Sequence, residues 1–314
     1  MHYIRNNADY EIKEKTAICL GKFDGLHKGH RRLIRNISDR KKYGLKTVVY
    51  TFDTNPAFLI NHEKEQLITT NYERKVLIEE MGIDYLYELP FTKEIMNLEP
   101  EYFIEKIVKE LSIKYMTVGN DFRFGKGGRG DYALLAKLAK DLSFELDIID
   151  KERYEDRDIS STYVRECIIA GDMEKSKELL GYPYTIVGEV VHGNQLGRTI
   201  DIPTANVVAD DNKIFPPNGV YVSRVCIGDL VYGSVTNIGI KPTVTDKHIK
   251  GAESFIFDFS NDIYGKEIKI ELLKYVRPEM KFKNIEELKG RMQADADYSK
   301  KYLLDNQLIN IKQM

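Results

Sequence analysis

Two of the chain's six histidines, His27 and His30, sit three residues apart in the stretch Gly21-Lys-Phe-Asp-Gly-Leu-His-Lys-Gly-His30, which also holds three glycines. Imidazole nitrogens donate to phosphate oxygens and also bind metals. A short apolar run of strand length, Thr16–Leu20, precedes the stretch, and Leu33, Ile34 and Ile37 follow at helical spacing among Arg and Lys. In an α/β protein such a glycine turn lies at the carboxyl end of a strand, where the free N–H groups of the next helix attract anions. With His27 and His30 able to turn to one side at the helix start, phosphate handling is the favoured chemistry. Plainer readings stand beside it: glycine can serve sterics alone, and a histidine there can simply cap the helix. As metal ligands the pair lacks a third His or Cys at ligand spacing.

Three further stretches carry chemical groups. Gly119-Asn-Asp-Phe-Arg-Phe-Gly-Lys-Gly-Gly-Arg-Gly130 holds G-x-G-x-x-G at Gly125, Gly127 and Gly130, but these glycines come well after the preceding strand rather than in a tight turn behind it. As a Walker loop it has one residue too many before Gly125-Lys126 and no Ser or Thr afterwards. What is left is a mobile basic loop in which Lys126 and Arg129 can reach phosphate and Phe122 or Phe124 can face a planar ring, or an ordinary surface loop. Ile159-Ser-Ser-Thr-Tyr-Val-Arg165 opens a helix with the hydroxyls of Ser161 and Thr162 and carries Arg165 one turn in. Such hydroxyls cap helices, and the same end can receive an anion with Arg165 adding a charge-assisted contact. In Pro203-Thr-Ala-Asn206, Thr204 and Asn206 point to one face of an extended segment and offer oxygen to a hard cation such as Mg²⁺, or simply make a turn. Glu253 begins an apolar strand, as a general base or as a solvated strand end.

The elements that must position these groups fall into two textures. Strand-like runs at 16–20, 46–52, 85–89, 115–118 and 144–149 alternate with helical patterns at 31–42, 73–81, 100–111 and 132–142. This alternation predicts a parallel sheet with helices on both faces. From Tyr184 to Val276, β-branched runs at 185–191, 219–225 and 253–259 with Gly, Asn and Pro turns predict an antiparallel barrel or sandwich, and 285–304 a closing helix. The division near residue 182 gives domains of 1–182 and 183–314, in keeping with about 150 residues per domain.

Lys+Arg 47 against Asp+Glu 49 leaves a net charge of −2, without the positive excess of a nucleic-acid binder. Cys19, Cys167 and Cys226 are odd in number and widely spaced, as reduced thiols are. Residues 1–15 are polar and no apolar run approaches the ~20 residues of a membrane span, so a soluble, cytoplasmic protein is expected, with no membrane or nucleic-acid partner. A monomer or weak oligomer is expected as well.

Taken in order, the motifs carry a resemblance. Gly21–His30 resembles the G-x-F-D-G-x-H-x-G-H signature of the nucleotidyltransferase superfamily, and Gly119–Asp131 with Ile159–Arg165 resemble the two other site motifs of prokaryotic FAD synthetases. Pro203–Asn206, Asn218–Tyr221, Thr236–Gly239 and Glu253–Phe259 are similar to the riboflavin kinase module fused behind them. The chain thus looks like the prokaryotic bifunctional riboflavin kinase/FAD synthetase family, which implies a Rossmann-like nucleotidyltransferase domain followed by an antiparallel β-barrel with a C-terminal helix.

The resemblance implies two reactions. Riboflavin takes the γ-phosphoryl group of ATP to give FMN, and FMN attacks the α-phosphorus of a second ATP to give FAD and pyrophosphate. It implies that Gly21, Phe23, Asp24, His27, Gly29, His30, Ser161, Thr162 and Arg165 serve ATP, with His27, His30 and Arg165 catalytic, while Asp121, Phe122 and Phe124 lie toward the flavin. Glu253 is then the kinase base, with Thr204 and Asn206 holding Mg²⁺ and phosphate. Two positions depart from the pattern: Asp201-Ile202 stands where the family commonly has Gly-Phe, and Phe255 where it commonly has His. Close to polyphosphate and without a bound cation the added negative charge of Asp201 would oppose binding, facing solvent it would not, and it could instead help bind Mg²⁺. It leaves room for two alternatives, an FMN adenylyltransferase with an inactive flavin-binding kinase domain, and a non-catalytic flavin-binding regulator. The His-x-Gly-His core also resembles that of certain aminoacyl-tRNA synthetases, an RNA-linked reading that the alternation of charges with core positions over 27–42 disfavours.

Overall fold

The computed structural model describes residues 1–6, 10–54, 66–192, 203–208, 210–242 and 248–309; Asp201 and Ile202 lie outside them. Two compact units divide the chain, Met1–Ser161 and Thr162–Met314.

In the first unit, β1 (His2–Arg5), β2 (Thr16–Leu20), β3 (Lys46–Phe52), β4 (Tyr85–Leu89), β5 (Ile113–Gly119) and β6 (Glu145–Ile149) form one sheet in the order β1-β4-β3-β2-β5-β6. Every pairing is parallel. All five residues of β2 are buried, as befits a central strand covered on both faces. From β2 the chain runs to one side through β3 and β4, then crosses to β5 and β6 on the other, so the order reverses between β2 and β5. Ligands of open α/β sheets bind beyond the carboxyl ends of the strands at such a reversal.

Helices α1 (Lys28–Ser38), α2 (Asn71–Glu80), α3 (Lys93–Met96), α4 (Pro100–Glu110) and α5 (Tyr132–Asp141) separate the strands. Leu33, Ile34 and Ile37 are the buried stripe of α1, which gives way to a 3₁₀ turn over Asp39–Tyr43 and stops at Gly44 with φ +79°. Thr70 and Glu73 close a capping box at the start of α2, and Pro100 occupies the first turn of α4. Within this unit Arg74 and Glu88 form an ion pair with side chains 3% and 0% exposed. Arg74 also donates to the carbonyls of Lys22 (3.2 Å) and Phe52 (2.9 Å), so a buried cation ties the end of β3 to the turn behind β2. A two-strand ribbon, β7 (Arg153–Tyr154) with β8 (Arg157–Asp158), follows β6.

Helix α6 (Ser161–Ala170) begins at the last residue of the first unit, and α7 (Met173–Leu180) comes before the barrel. The barrel is closed and antiparallel: β9 (Tyr184–Val191), β10 (Thr204–Val208), β11 (Gly219–Ile227), β12 (Leu230–Pro242), β13 (His248–Ile256) and β14 (Glu267–Arg277) pair in the order β10-β13-β12-β11-β14-β9. Closure removes the exposed sheet edges that invite aggregation. A chain of buried hydroxyls, Ser234 to Ser223 to Thr236 to Ser254, joins three of its strands with 2.7 Å contacts. The residues alternating with them, among them Val235, meet α8 (Ile285–Asp305) through Ala296 and Leu303. Phe255 packs against this same apolar cluster. An Arg277–Asp295 ion pair at 2.6 Å, nearly inaccessible, fastens α8 to the end of β14. The cysteines carry no disulfide; Cys19 and Cys167 are buried and Cys226 half-buried.

Candidate functional site

The turn behind β2 is tightly shaped. Phe23 and Leu26 adopt φ of +49° and +40°, and Gly25 +83°. A non-glycine residue in this region costs about 1–2 kcal/mol, and both side chains offset it by complete burial. A Cβ on Gly25 would lie 3.0 Å from Ile68. Asp24 is buried; its carboxylate accepts from the N–H groups of Ile68 (2.8 Å) and Thr69 (3.2 Å), and its carbonyl accepts from the Ser161 hydroxyl at 2.9 Å. Phe23 lies under Gly21 and edge-on to His30. Phe23 and Asp24 thus shape the turn from beneath.

His27 caps α1: its Nδ1 accepts from the His30 N–H at 3.4 Å, which leaves the proton of the neutral ring on Nε2. The two imidazoles stack with centroids 3.7 Å apart and planes 18° from parallel. Gly29 makes room for this, since a Cβ there would stand 3.3 Å from the His27 ring. His30 Nδ1 is buried and finds no hydrogen-bond partner among the described residues. Burial pushes the His27 imidazole down to about 4, with Asp121 acting the other way. Burial, then the neighbouring His27 and Arg74, hold His30 well below its ordinary value. Both rings are thus neutral at pH 7.

Because His27 is harder to protonate folded than unfolded, its contribution to stability is complete above about 6.5 and is lost as pH falls toward about 4. Urea unfolding of the wild type and of His27→Asn, in which Asn keeps the cap, is expected to diverge through that window. A constant difference from pH 7 to pH 4 would refute it.

Across the reversal point, Asp121 follows β5 and accepts an ion pair from Lys151 at 2.9 Å. Its charge also acts on His27 and Lys22. Lys22 and Lys151 thus bring two cations to the carboxyl edge of the sheet that motif reading did not single out. Their signal was positional: Lys22 and Lys151 each come two residues after a strand ends.

The basic loop is held down, in contrast to the expected mobile one. Phe124 and Gly130 exchange backbone hydrogen bonds, the Lys126 N–H donates to the Leu98 carbonyl at 2.7 Å, and Arg129 pairs with Glu99. A Cβ on Gly125, at φ +68°, would stand 2.6 Å from Pro100 Cα. Phe124 is only 6% exposed and belongs to the core, while Phe122 is half-buried and stacks on it at 5.6 Å. Lys126 and Asp121 are exposed. On α6, Thr162 is exposed and Arg165 half-buried in the first turns.

In the barrel, Asn206 stands opposite Glu253, and Glu253 opposite Asn237. The three residues therefore share one face of three neighbouring strands. The Thr204 hydroxyl donates to Glu253 Oε1 at 2.7 Å. Beside Thr204 opens a cavity of about 320 Å³ lined by residues that include Pro203, Ile263 and Tyr264. Thr204, Asn206 and Glu253 are thus brought together as expected.

The family model described as FAD synthetase matches residues 9–163, and that described as riboflavin kinase matches 180–303. A bifunctional riboflavin kinase/FMN adenylyltransferase of Bacillus subtilis is 36% identical over 301 residues, 93% of this chain and 94% of the relative. The chain belongs to the bifunctional riboflavin kinase/FMN adenylyltransferase family. Relatives with that same description come from Listeria monocytogenes, at 34% identity over 89% of this chain and 90% of the relative, and from Escherichia coli, at 34% over 92% and 93%. A solved structure described as a macrolide-efflux protein from Streptococcus pneumoniae superposes with a TM-score of 0.84 at 31% identity, covering 96% of this chain and 99% of its own. Among the described residues no helix is long and apolar enough to cross a membrane. As in the family's other members, both the FAD synthetase and the riboflavin kinase domains are present.

Proposed function

We propose that the chain makes FAD in two steps, phosphorylation of riboflavin to FMN in residues 183–314 and adenylyl transfer from ATP to FMN in residues 1–182, with pyrophosphate released. The observation that carries the second step is the stacked, neutral His27–His30 pair with its unpartnered Nδ1 at the carboxyl edge of the sheet. FMN arrives as an anionic phosphate, so the attack requires no base and catalysis reduces to positioning and charge stabilisation. His27 and His30 supply donors to the polyphosphate. Gly21 and Gly29 allow its close approach, and Lys126 with Ser161 adds further contacts. Asp121 and the exposed edge of Phe122 face the flavin.

For the first step the nucleophile is a ribityl hydroxyl, poor until its proton leaves, and Glu253 receives that proton. Thr204 and Asn206 present oxygen ligands of the kind Mg²⁺ takes together with substrate phosphates and water. Their place beside Glu253 supports this role. Magnesium bound there would neutralise charge on the transferring phosphate. The protein works on small molecules, without nucleic acid, as a cytoplasmic monomer or weak oligomer.

Purified protein given riboflavin, ATP and Mg²⁺, and separately FMN, ATP and Mg²⁺, tests both steps. FAD from FMN alone would mean a silent kinase, and no product from either would sink the enzymatic reading. If the charge of Asp201 is what opposes the kinase step, Asp201→Gly is expected to raise the FMN-forming rate. An unchanged rate would absolve the aspartate.

A further inference from the structure

Just past the end of β14, Glu279 reaches back to two asparagines of the barrel. Its Oε2 accepts from Asn218 Nδ2 at 3.1 Å and its Oε1 from Asn237 Nδ2 at 3.3 Å. The seat for this carboxylate is made by Gly239, two residues beyond Asn237 on the same face of β12: a Cβ there would lie 2.3 Å from Glu279 Oε1. Asn237 in turn stands directly opposite Glu253.

The consequence lies in which end of each amide is spoken for. A carboxylate can only accept, so both asparagines must turn their NH₂ groups to Glu279 and keep their carbonyl oxygens for something else. Beside Glu253, which also accepts, this yields a row of acceptors. Such a row matches a ligand that brings several hydroxyl donors on a flexible chain better than a flat ring that brings a single N–H. Sites built to pair with hydroxyls discriminate strongly against analogues that lack them.

We propose that Glu279 is a specificity-determining positioning residue, which locks Asn218 and Asn237 so that their carbonyl oxygens receive the hydroxyls of the substrate's polyol chain next to Glu253. The proposal rests on the riboflavin-phosphorylating reading for the identity of the polyol, and on Glu279, Asn218, Asn237 and Gly239 for the subsite. Glu279→Gln keeps the size of the side chain but puts an NH₂ against one asparagine NH₂, which makes that amide flip and removes an acceptor.

The test uses the full chain and flavin fluorescence titrations with two probes, riboflavin and lumiflavin, the same ring with a methyl in place of the ribityl chain. Glu279→Gln is expected to weaken riboflavin binding about tenfold, the scale of one or two hydrogen bonds, and to leave lumiflavin binding unchanged. In the phosphorylation assay the riboflavin KM rises by a similar factor with kcat retained. Equal weakening for both probes would reduce Glu279 to a structural role and overturn the proposal. So would no change for either, or wild-type protein that does not prefer riboflavin to lumiflavin. Wild-type protein that forms no FMN yet shows the riboflavin-only loss in the variant would sink the kinase reading and keep the subsite.

Discussion

His27→Ala or His30→Ala is expected to lower FAD formation from FMN and ATP by about 10²–10³-fold, the usual cost of removing one donor aimed at transition-state charge, while FMN formation from riboflavin continues. The two rings are one unit: His27 accepts the His30 N–H, the rings stack, and His30 retains an unpartnered nitrogen. Held neutral by burial, they enter the reaction without a charge of their own, and each gains most when the polyphosphate's charge is concentrated. Loss of either therefore falls on kcat more than on the KM for ATP. Because His27 also caps α1, His27→Ala weakens that helix end by about 1 kcal/mol. His27→Asn, which restores the cap but not the imidazole, separates the two effects and is expected to stay as slow as His27→Ala. Recovery of the rate in His27→Asn would assign the histidine to capping, and a parallel fall in both reactions would argue against separate sites.

The alternating half of the fold was legible because its strands are buried and its helices amphipathic, so residues 16–20 and 85–89 coincide with β2 and β4. The sheet's edge strand β1 was not, since only Ile4 of its four residues is buried and there is no pattern to see. In the barrel the hydroxyls of Ser223, Ser234, Thr236 and Ser254 disguise interior positions as polar ones, which hides part of the inward alternation. At the candidate sites, the residue types single out His27, His30, Thr204 and Glu253 as candidates, but not which neighbours work by shape. Phe23, Asp24 and Phe124 belong to the motifs by sequence and to the turn or the core by contact. The contributions of Lys22, Lys151 and Glu279 depend on loops meeting across a sheet or barrel, and spacing along the chain does not encode that.

Glu253→Gln is expected to depress FMN formation by about 10²–10⁴-fold, the range for a positioned general base, with FAD formation from supplied FMN unchanged. Glutamine fills the same volume and its amide oxygen still accepts from the Thr204 hydroxyl, now 2.7 Å from Glu253 Oε1, so the register of β10 and β13 is kept. What it cannot do is take a proton. The contrast with the first unit is chemical: a phosphate nucleophile arrives already ionised, whereas a ribityl hydroxyl does not. On the proposed roles, one carboxylate is decisive in one reaction and irrelevant in the other. Thr204→Ala sharpens the assignment, because loss of a cation ligand raises the Mg²⁺ concentration needed for half-maximal rate, and loss of a base does not. If Glu253→Gln forms FMN within a few-fold of the wild-type rate at saturating Mg²⁺, the proton leaves by another route and Glu253 is a support for Thr204.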